Sequence, residues 1–169
     1  ASRLADLAER DPAVVERPSF TPTGPATYGR FLQVRGFDHW VHARDIARPL
    51  GLDAPAPDGF AAENAVTEVA AAIGYIVGKK IGLPDGRSIA FHLHGGVSRD
   101  LAVVVADGRA RSVATVDAPD VEISADADTF VMLACGRIDP DAEIAAGRIA
   151  WTGNTEWGER AARNLRYTM

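Results

Sequence analysis

Cysteine is almost absent from this sequence. Cys135 is the only one among 169 residues, so the chain cannot form an internal disulfide. A protein without disulfides is typical of a reducing compartment, and we therefore expect a cytoplasmic location. No run of about 18 apolar residues is present, so no segment is predicted to span a membrane. The first residues, Ala-Ser-Arg-Leu-Ala-Asp, also lack the apolar core of a signal peptide.

An excess of positive charge is lacking as well. The chain has 18 Lys and Arg against 23 Asp and Glu, a formal net charge of −5. Because there is no basic excess, neither a nucleic acid nor an anionic membrane is an expected partner. Phosphate-binding glycine motifs are missing too, since Gly95-Gly96 lacks the remaining spacing. The apolar fraction of 47% is enough to build the core of one large or two small domains.

Hydrophobic periodicity divides the chain into a helical first part and a mixed second part. Helical spacing predicts helices over 2–9, 26–48 and 61–79, with proline-rich connectors at 17–25 and 53–59. From residue 89 the period becomes two, which predicts strands at 89–94, 101–105, 111–116, 121–124 and 148–152. Asp126 or Asp128 can cap a helix predicted at 129–135. A short helix is predicted to start at Asp139-Pro140, and a terminal helix is predicted at 155–166. Strands followed by helices indicate an α+β fold.

The helix predicted over 26–48 carries the most informative pattern. Asp38, His42 and Asp45 are spaced i, i+4 and i+7, so a helix places them on one face. A carboxylate and an imidazole one turn apart can bind the same divalent metal, and zinc accepts both. Asp45 can orient the imidazole through its other nitrogen. The same spacing also allows a solvated polar face in which Asp38 pairs with Arg35, and the sequence leaves both interpretations open.

A metal site needs further ligands, and the chain offers few. His39 follows Asp38 directly, about 100° around the helix from it, and is expected to be exposed and not to share a metal with His42. His92 and His94 are the only other histidines, although their strand position favours solvent-facing imidazoles. Cys135 ends an apolar helix, where a buried structural role is favoured over a reactive thiolate. Arg137 could bind a substrate carboxylate through a bidentate fork, or be a surface charge at a helix C-terminus.

The stretch from Arg35 to Gly51 resembles the last bundle helix of the mycothiol-dependent maleylpyruvate isomerase family. The second half continues the resemblance in the expected order, with the segments 105–109, 119–123, 129–137 and 153–158. That family joins a DinB-like four-helix metal domain to a small α+β domain similar to sterol carrier proteins. The resemblance, which covers residue 26 to the end, implies a partial DinB-like region at 1–52 and an α+β C-terminal domain at 60–169.

The resemblance also implies an activity and its residues. It implies a thiol-assisted cis–trans isomerisation, or a related thiol transfer, with mycothiol and a divalent metal such as zinc as cofactors and a small acidic substrate. His42 matches the family's ligand histidine, and Asp38 takes the place of a ligand glutamate that is one methylene longer. Asp45 matches the following aspartate. Arg137 matches an arginine that lies near the active site of characterised isomerases.

The helices that carry the family's first ligand histidine have no counterpart in this sequence. We therefore expect a C-terminal fragment, or a truncated relative, whose metal site a homo-oligomer or a complementing N-terminal segment would complete. The alternative belongs to another class of protein. In it, the α+β domain is a non-catalytic module that binds a small or hydrophobic ligand, and Asp38 and His42 belong to a vestigial metal helix.

Overall fold

The computed structural model of the protein describes residues 12–22, 24–54 and 56–167. A 3-10 turn, Pro12–Glu16, leads into an antiparallel hairpin and then the first long helix. The helix predicted at 2–9 lies outside the described residues. In chain order the elements are β1 (Pro18–Thr21), β2 (Gly24–Thr27), α1 (Tyr28–Ala47), α2 (Gly59–Ala71), α3 (Ile73–Tyr75), a π-helical segment (Ile76–Ile81), β3 (Ser88–His94), β4 (Arg99–Ala106), β5 (Arg109–Val113), β6 (Val121–Asp126), α4 (Ala127–Ala134), α5 (Pro140–Ala145), β7 (Ile149–Gly153) and α6 (Thr155–Asn164).

The first long helix forms close to where periodicity predicts it, with bounds of 28–47 instead of 26–48. Its start is fixed by Thr27, whose Oγ1 accepts a hydrogen bond from the Arg30 N–H at 3.2 Å. The proline-rich stretch before it, predicted to be a connector, forms the β1–β2 hairpin instead. Proline is compatible with such a short two-stranded edge, because there each strand has a free side on which no N–H is needed.

The helix predicted over 61–79 is broken. It forms α2, bends by 45° at Ala72, and continues as α3 and the π-helical segment. After the bend, Gly74 and Gly78 lie against the edge strand β5, where a Cβ at Gly78 would be 3.0 Å from the Cβ of Ala110. Periodicity within one segment does not reveal this close packing, which is why the bend was not predicted. Among the described residues no single helix is long and apolar enough to cross a membrane, although this bent pair meets that measure jointly.

The second half of the chain is built on a five-stranded sheet of order β5-β4-β3-β6-β7. Neighbouring strands are antiparallel except β3 and β6, which run parallel. Along β3 the side chains of Ile89, Phe91 and Leu93 are buried, and those of His92 and His94 are exposed. This alternation confirms the predicted half-buried strand. The fold is therefore α+β, as predicted, with apolar helix faces packed on one face of the sheet.

Helix α1 is packed on this α+β core through apolar contacts and through one buried cation. Phe37, Trp40 and Val41 belong to the same apolar cluster as the helices and strands of the second half. The side chain of Arg44 is fully buried, and its guanidinium carbon lies 3.4 Å from the centre of the Trp40 ring. Its Nε donates to Asp128 Oδ1 at 2.5 Å, at the start of α4. The division of the chain into two domains stays a prediction.

We expect Arg44→Ala to lower the free energy of unfolding by about 3–5 kcal/mol, because it leaves a cavity against Trp40 and removes the buried partner of Asp128. Arg48 is the matched control. It donates to the other oxygen of Asp128 at 2.6 Å, but its side chain is 37% exposed. For Arg48→Ala the expected loss is below about 1 kcal/mol. Urea denaturation followed by circular dichroism measures both values, and equal losses would contradict the assigned role of burial.

Candidate functional site on the first long helix

The carboxylate of Asp45 joins two of the other residues singled out by the sequence. His42 Nδ1 lies 2.9 Å from Asp45 Oδ2 on the same helix. From the far side, Arg137 Nε donates to Asp45 Oδ1 and Oδ2 at 3.1 and 3.2 Å. Arg137 is 92 positions further along the chain, so this contact exists only in the folded protein. The structure thus brings His42, Asp45 and Arg137 into one cluster.

Arg137 is positioned by the end of α4. Gly136 adopts a left-handed conformation with φ +67°, and the Arg137 N–H donates to Met132 O at 2.9 Å. These are the features of a glycine-terminated helix end. The guanidinium is fixed in turn, because its Nη1 donates to the carbonyl of Cys135 at 2.8 Å. The backbone therefore sets the direction of Arg137 before any ligand is present.

The electrostatics of the cluster favour a charged Asp45. Burial raises the pKa of this carboxyl, but the hydrogen bonds from His42 and Arg137 outweigh burial and hold the pKa below its ordinary value. Since Asp45 occupies Nδ1 of His42, the nitrogen left for another partner is Nε2. The His42 side chain is 62% exposed, so a further partner can approach it from outside. This is the orientation that the sequence predicted for Asp45 and His42.

Asp38 behaves differently from His42 and Asp45, with which it shares one face of α1. It forms an ion pair with Arg35 one turn earlier, which is the pairing that the sequence left open as an alternative. Within the described ranges, no group of three His, Cys, Asp or Glu side chains is arranged to hold a metal ion. His92 and His94 face outward from the sheet, and His92 Nδ1 lies 2.8 Å from Asp100 Oδ1. Metal binding by Asp38 and His42 stays a prediction.

Cys135 is buried, as predicted, and lies beside the cluster. Its residual exposure is 2%, and burial is the main reason that its pKa is raised to about 11. The positive charge of Arg137 acts in the opposite direction but does not compensate for burial. A thiol with such a pKa is protonated at neutral pH and is therefore a poor nucleophile. The structural role expected from the sequence agrees with this environment.

Three residues near this cluster were not singled out from the sequence, namely Arg30, Glu68 and Tyr167. Glu68 of α2 is 5% exposed and forms an ion pair with Arg30, with Nη2 and Oε2 2.7 Å apart. Tyr167 packs edge-on against Phe37, and burial is the main reason that its pKa is raised. A usable signal existed only for Glu68, which is the one charged residue among the buried positions of α2. Nothing local distinguished Tyr167 near the chain end.

An open groove lies beside α1, where it is bordered by the 3-10 turn and the start of α2. Its volume is about 1020 Å³. Most of the surface that lines it is apolar, although more than half of the lining residues are polar or charged. Phe60 at its rim is 86% exposed. The lining includes Val15, Leu32, Phe60, Arg35, His39 and Asn64.

Comparison with solved structures finds several chains with partial structural similarity. The matches include the UbiJ-SCP2 ubiquinone synthesis protein, with 15% identity over 57% of this chain and 94% of that one (TM-score 0.42). Sterol carrier protein 2-like 2 from Aedes aegypti matches with 10% identity over 60% and 93% (TM-score 0.43). The sterol carrier protein domain 2 of Helicoverpa armigera matches with 17% identity over 65% and 94% (TM-score 0.43). No curated protein is similar enough in sequence to count as a relative.

A family assignment comes from the sequence itself. The model of the MDMPI C-terminal domain, the C-terminal domain of maleylpyruvate isomerases, matches residues 63–160, more than half of the chain. The chain therefore belongs to the MDMPI C-terminal domain family, which confirms the predicted resemblance for this part. Arg137 lies inside the matched range. Helix α1, with Asp38 and His42, lies outside it.

We expect the stabilising contribution of Asp45 to depend on pH. Its pKa in the folded protein lies below the ordinary value of 3.8, so its contribution is complete above that value and is lost as the pH falls through the folded pKa. Asp45→Asn should therefore destabilise the protein at neutral pH, and the difference from the parent should shrink in acid. Urea titrations of both proteins at several pH values measure this, and a pH-independent difference would contradict the charged pairing.

We expect Cys135 to resist thiol reagents in the native protein, because burial keeps its thiol protonated and covered. A chromogenic disulfide reagent at neutral pH should label the folded chain very slowly and the urea-unfolded chain at once. The unfolded chain is the internal control, since it contains the same single thiol. Rapid stoichiometric labelling of the native protein would show that the thiol is accessible.

Proposed function

We propose that this chain is the C-terminal part of a mycothiol-dependent maleylpyruvate isomerase-like metalloenzyme, acting by thiol-assisted cis–trans isomerisation or by a related thiol transfer. One observation supports the proposal most strongly. In a member of the MDMPI C-terminal domain family, Asp45 contacts both the predicted metal ligand His42 and the predicted substrate-binding Arg137. An arrangement in which one carboxylate fixes both groups suits a site where a metal and an acidic substrate lie side by side.

The residues of α1 fit a metal ion in part. His42 is held through Nδ1, which leaves Nε2 exposed to a ligand, and such a hydrogen bond to a carboxylate is common behind metal-bound histidines. Asp38 lies one turn earlier and would have to leave Arg35 to join in. Further ligands have to come from beyond the described residues. A divalent metal held there would supply Lewis-acid chemistry, favouring the deprotonated, nucleophilic form of a cofactor thiol.

Arg137 has donors to spare for an acidic substrate. A guanidinium carries five N–H groups. In this structure Nε is directed to Asp45 and Nη1 to the Cys135 carbonyl. Nη2 donates to no other residue in the part of the chain that is described, and the side chain is 34% exposed. A substrate carboxylate can therefore bind Nη2 without displacing the contacts that hold the arginine in place.

A second candidate function rests on the groove beside α1. Its predominantly apolar lining could hold a small molecule with a hydrophobic body, which suits a non-catalytic binding module. In that case Asp38 and His42 would be a vestigial part of the helix. Among the described residues, no three side chains are grouped to bind a metal ion, and this alternative needs no such group.

Metal content separates the two candidates. We expect the protein expressed from its complete gene to bind about one equivalent of zinc, and His42→Ala to lose it, because structural and catalytic zinc sites need every protein ligand. His39→Ala is the matched control, since it removes a neighbouring exposed imidazole from the same helix. Asp45→Asn should weaken zinc binding by about 10–100-fold through loss of the orienting hydrogen bond.

Inductively coupled plasma mass spectrometry and competition with a chromogenic chelator measure these values. Zinc bound by the parent and by His39→Ala, but not by His42→Ala, supports the enzyme and justifies isomerase assays with mycothiol. If the parent protein binds no metal, the metalloenzyme proposal is wrong and the binding module is the remaining candidate. Equal metal content in all variants would show that the metal is bound elsewhere.

A further inference from the structure

The groove beside α1 is lined by more basic than acidic side chains. Its lining contains Arg30, Arg35 and His39, and Glu16 is the only acidic residue in it. The carboxylates that pair with the two arginines are not among the lining residues. A molecule in the groove would therefore touch an excess of basic groups, although the chain as a whole has a net charge of −5.

Arg35 and His39 have hydrogen-bond donors available for a ligand. They are one turn apart on α1, so their side chains are neighbours on the helix surface. Arg35 Nη2 pairs with Asp38, but no described residue accepts a hydrogen bond from its Nε or Nη1. His39 forms no hydrogen bond or ion pair with any residue in the described ranges. Arg30 differs, because both of its terminal nitrogens are directed to Glu68.

Contacts between the two helices place the start of α2 near the His39 end of the groove. The helices run in opposite directions, since Glu68 pairs with Arg30, and Asn64 Nδ2 donates to Gln33 O at 2.8 Å. The residues one turn before Asn64 therefore lie further along α1, toward His39. The first turn of α2 and the free donors of α1 thus belong to the same end of the groove.

The first turn of α2 adds backbone donors to this end. Phe60 and Ala61 line the groove, and no described residue accepts a hydrogen bond from their N–H groups. The side chain of the preceding Asp58 forms no cap, and the first turn contains no acidic residue. Free N–H groups at a helix start favour an anion. They add to the side-chain donors of Arg35 and His39, and together these groups suit a carboxylate.

Two aliphatic side chains lie toward the opposite end of the groove. Val15 is there, because a Cβ at Gly29 would be 3.3 Å from the Cβ of Val15. Leu32 follows three residues later on the same helix and also lines the groove. Glu16 belongs to the turn that carries Val15 and repels a carboxylate from this end. Between the ends, the Phe60 ring is 86% exposed and can stack on an aromatic ring.

We propose that the groove binds an amphiphilic monocarboxylate, a small acid with an apolar, ring-containing body. Its carboxylate would bind Arg35, His39 and the start of α2. Its body would lie toward Leu32 and Val15, in a groove whose volume of about 1020 Å³ is ample for two fused rings. This inference rests on the second candidate function, the binding module, and adds the chemical class of its ligand. It does not need a metal at His42.

Two compounds with the same body and different charge test the proposal. They are naphthalene-1-acetate and its neutral analogue naphthalene-1-acetamide, and isothermal titration calorimetry measures their affinities. The parent chain should bind the acid about tenfold or more tightly than the amide, because only the acid gains charge-assisted hydrogen bonds. Arg35→Gln combined with His39→Gln should remove this preference and change the affinity for the amide by less than about twofold. Retained amide binding also shows that the variant is folded.

Arg99→Gln is the matched control. Arg99 pairs with Glu63 much as Arg35 pairs with Asp38, but it does not line the groove, so this variant should keep the preference for the acid. Leu32→Ser should weaken the binding of both compounds by about fivefold, because it removes apolar contact with the shared body.

The outcomes separate this inference from the proposed functions. Equal affinity of the parent for acid and amide would overturn the inference and leave the binding module standing. Binding of neither compound would overturn both. A loss of preference in Arg99→Gln as large as in the double variant would show that the acid binds elsewhere, against the proposal. A dimer in sedimentation velocity that Phe60→Ser dissociates would show that a second copy fills the groove, which would also overturn it. The zinc measurements test the metalloenzyme independently.

Discussion

The buried pairing of Arg44 with Asp128 is the interaction on which the arrangement of this protein depends. A guanidinium with no exposed surface is stable only beside a carboxylate, and the nearest one stands at the start of α4. The contact therefore fixes the second half of α1 against the α+β core. Asp45 follows Arg44 in sequence and Arg137 follows the end of α4, so the same contact brings these two side chains within hydrogen-bonding distance.

Helix α1 has two faces with different roles. One face buries Phe37, Trp40 and Val41 in the core, and the other presents Asp38 and His42 to the outside. These two side chains point away from the core, and among the described residues they belong to no group of three side chains that could hold a metal ion. The MDMPI C-terminal domain assignment is consistent with this geometry, since it covers the α+β part and leaves the helix outside.

Glycine placement determines how one edge of the sheet is covered. Gly74 and Gly78 allow a bent helix to pack against the edge strand β5, which protects the sheet from further pairing. Local periodicity does not reveal this contact, because it depends on which distant segments pack together.

The sequence by itself determined the features that depend on neighbouring residues. Alternation along β3, the Asp107-Gly108 turn, the Asp126 cap whose Oδ1 accepts from Asp128 N at 2.9 Å, and the shared face of His42 and Asp45 all follow from local spacing. Tertiary structure alone decided the contact of Asp45 with Arg137, the bend at Ala72 and the burial of Arg44. The pairing of Asp38 with Arg35 is local, at i and i+3, and is one of the two interpretations that spacing left open. The physical reason is that backbone periodicity constrains a few residues at a time, whereas ion pairing and close packing depend on which distant segments meet.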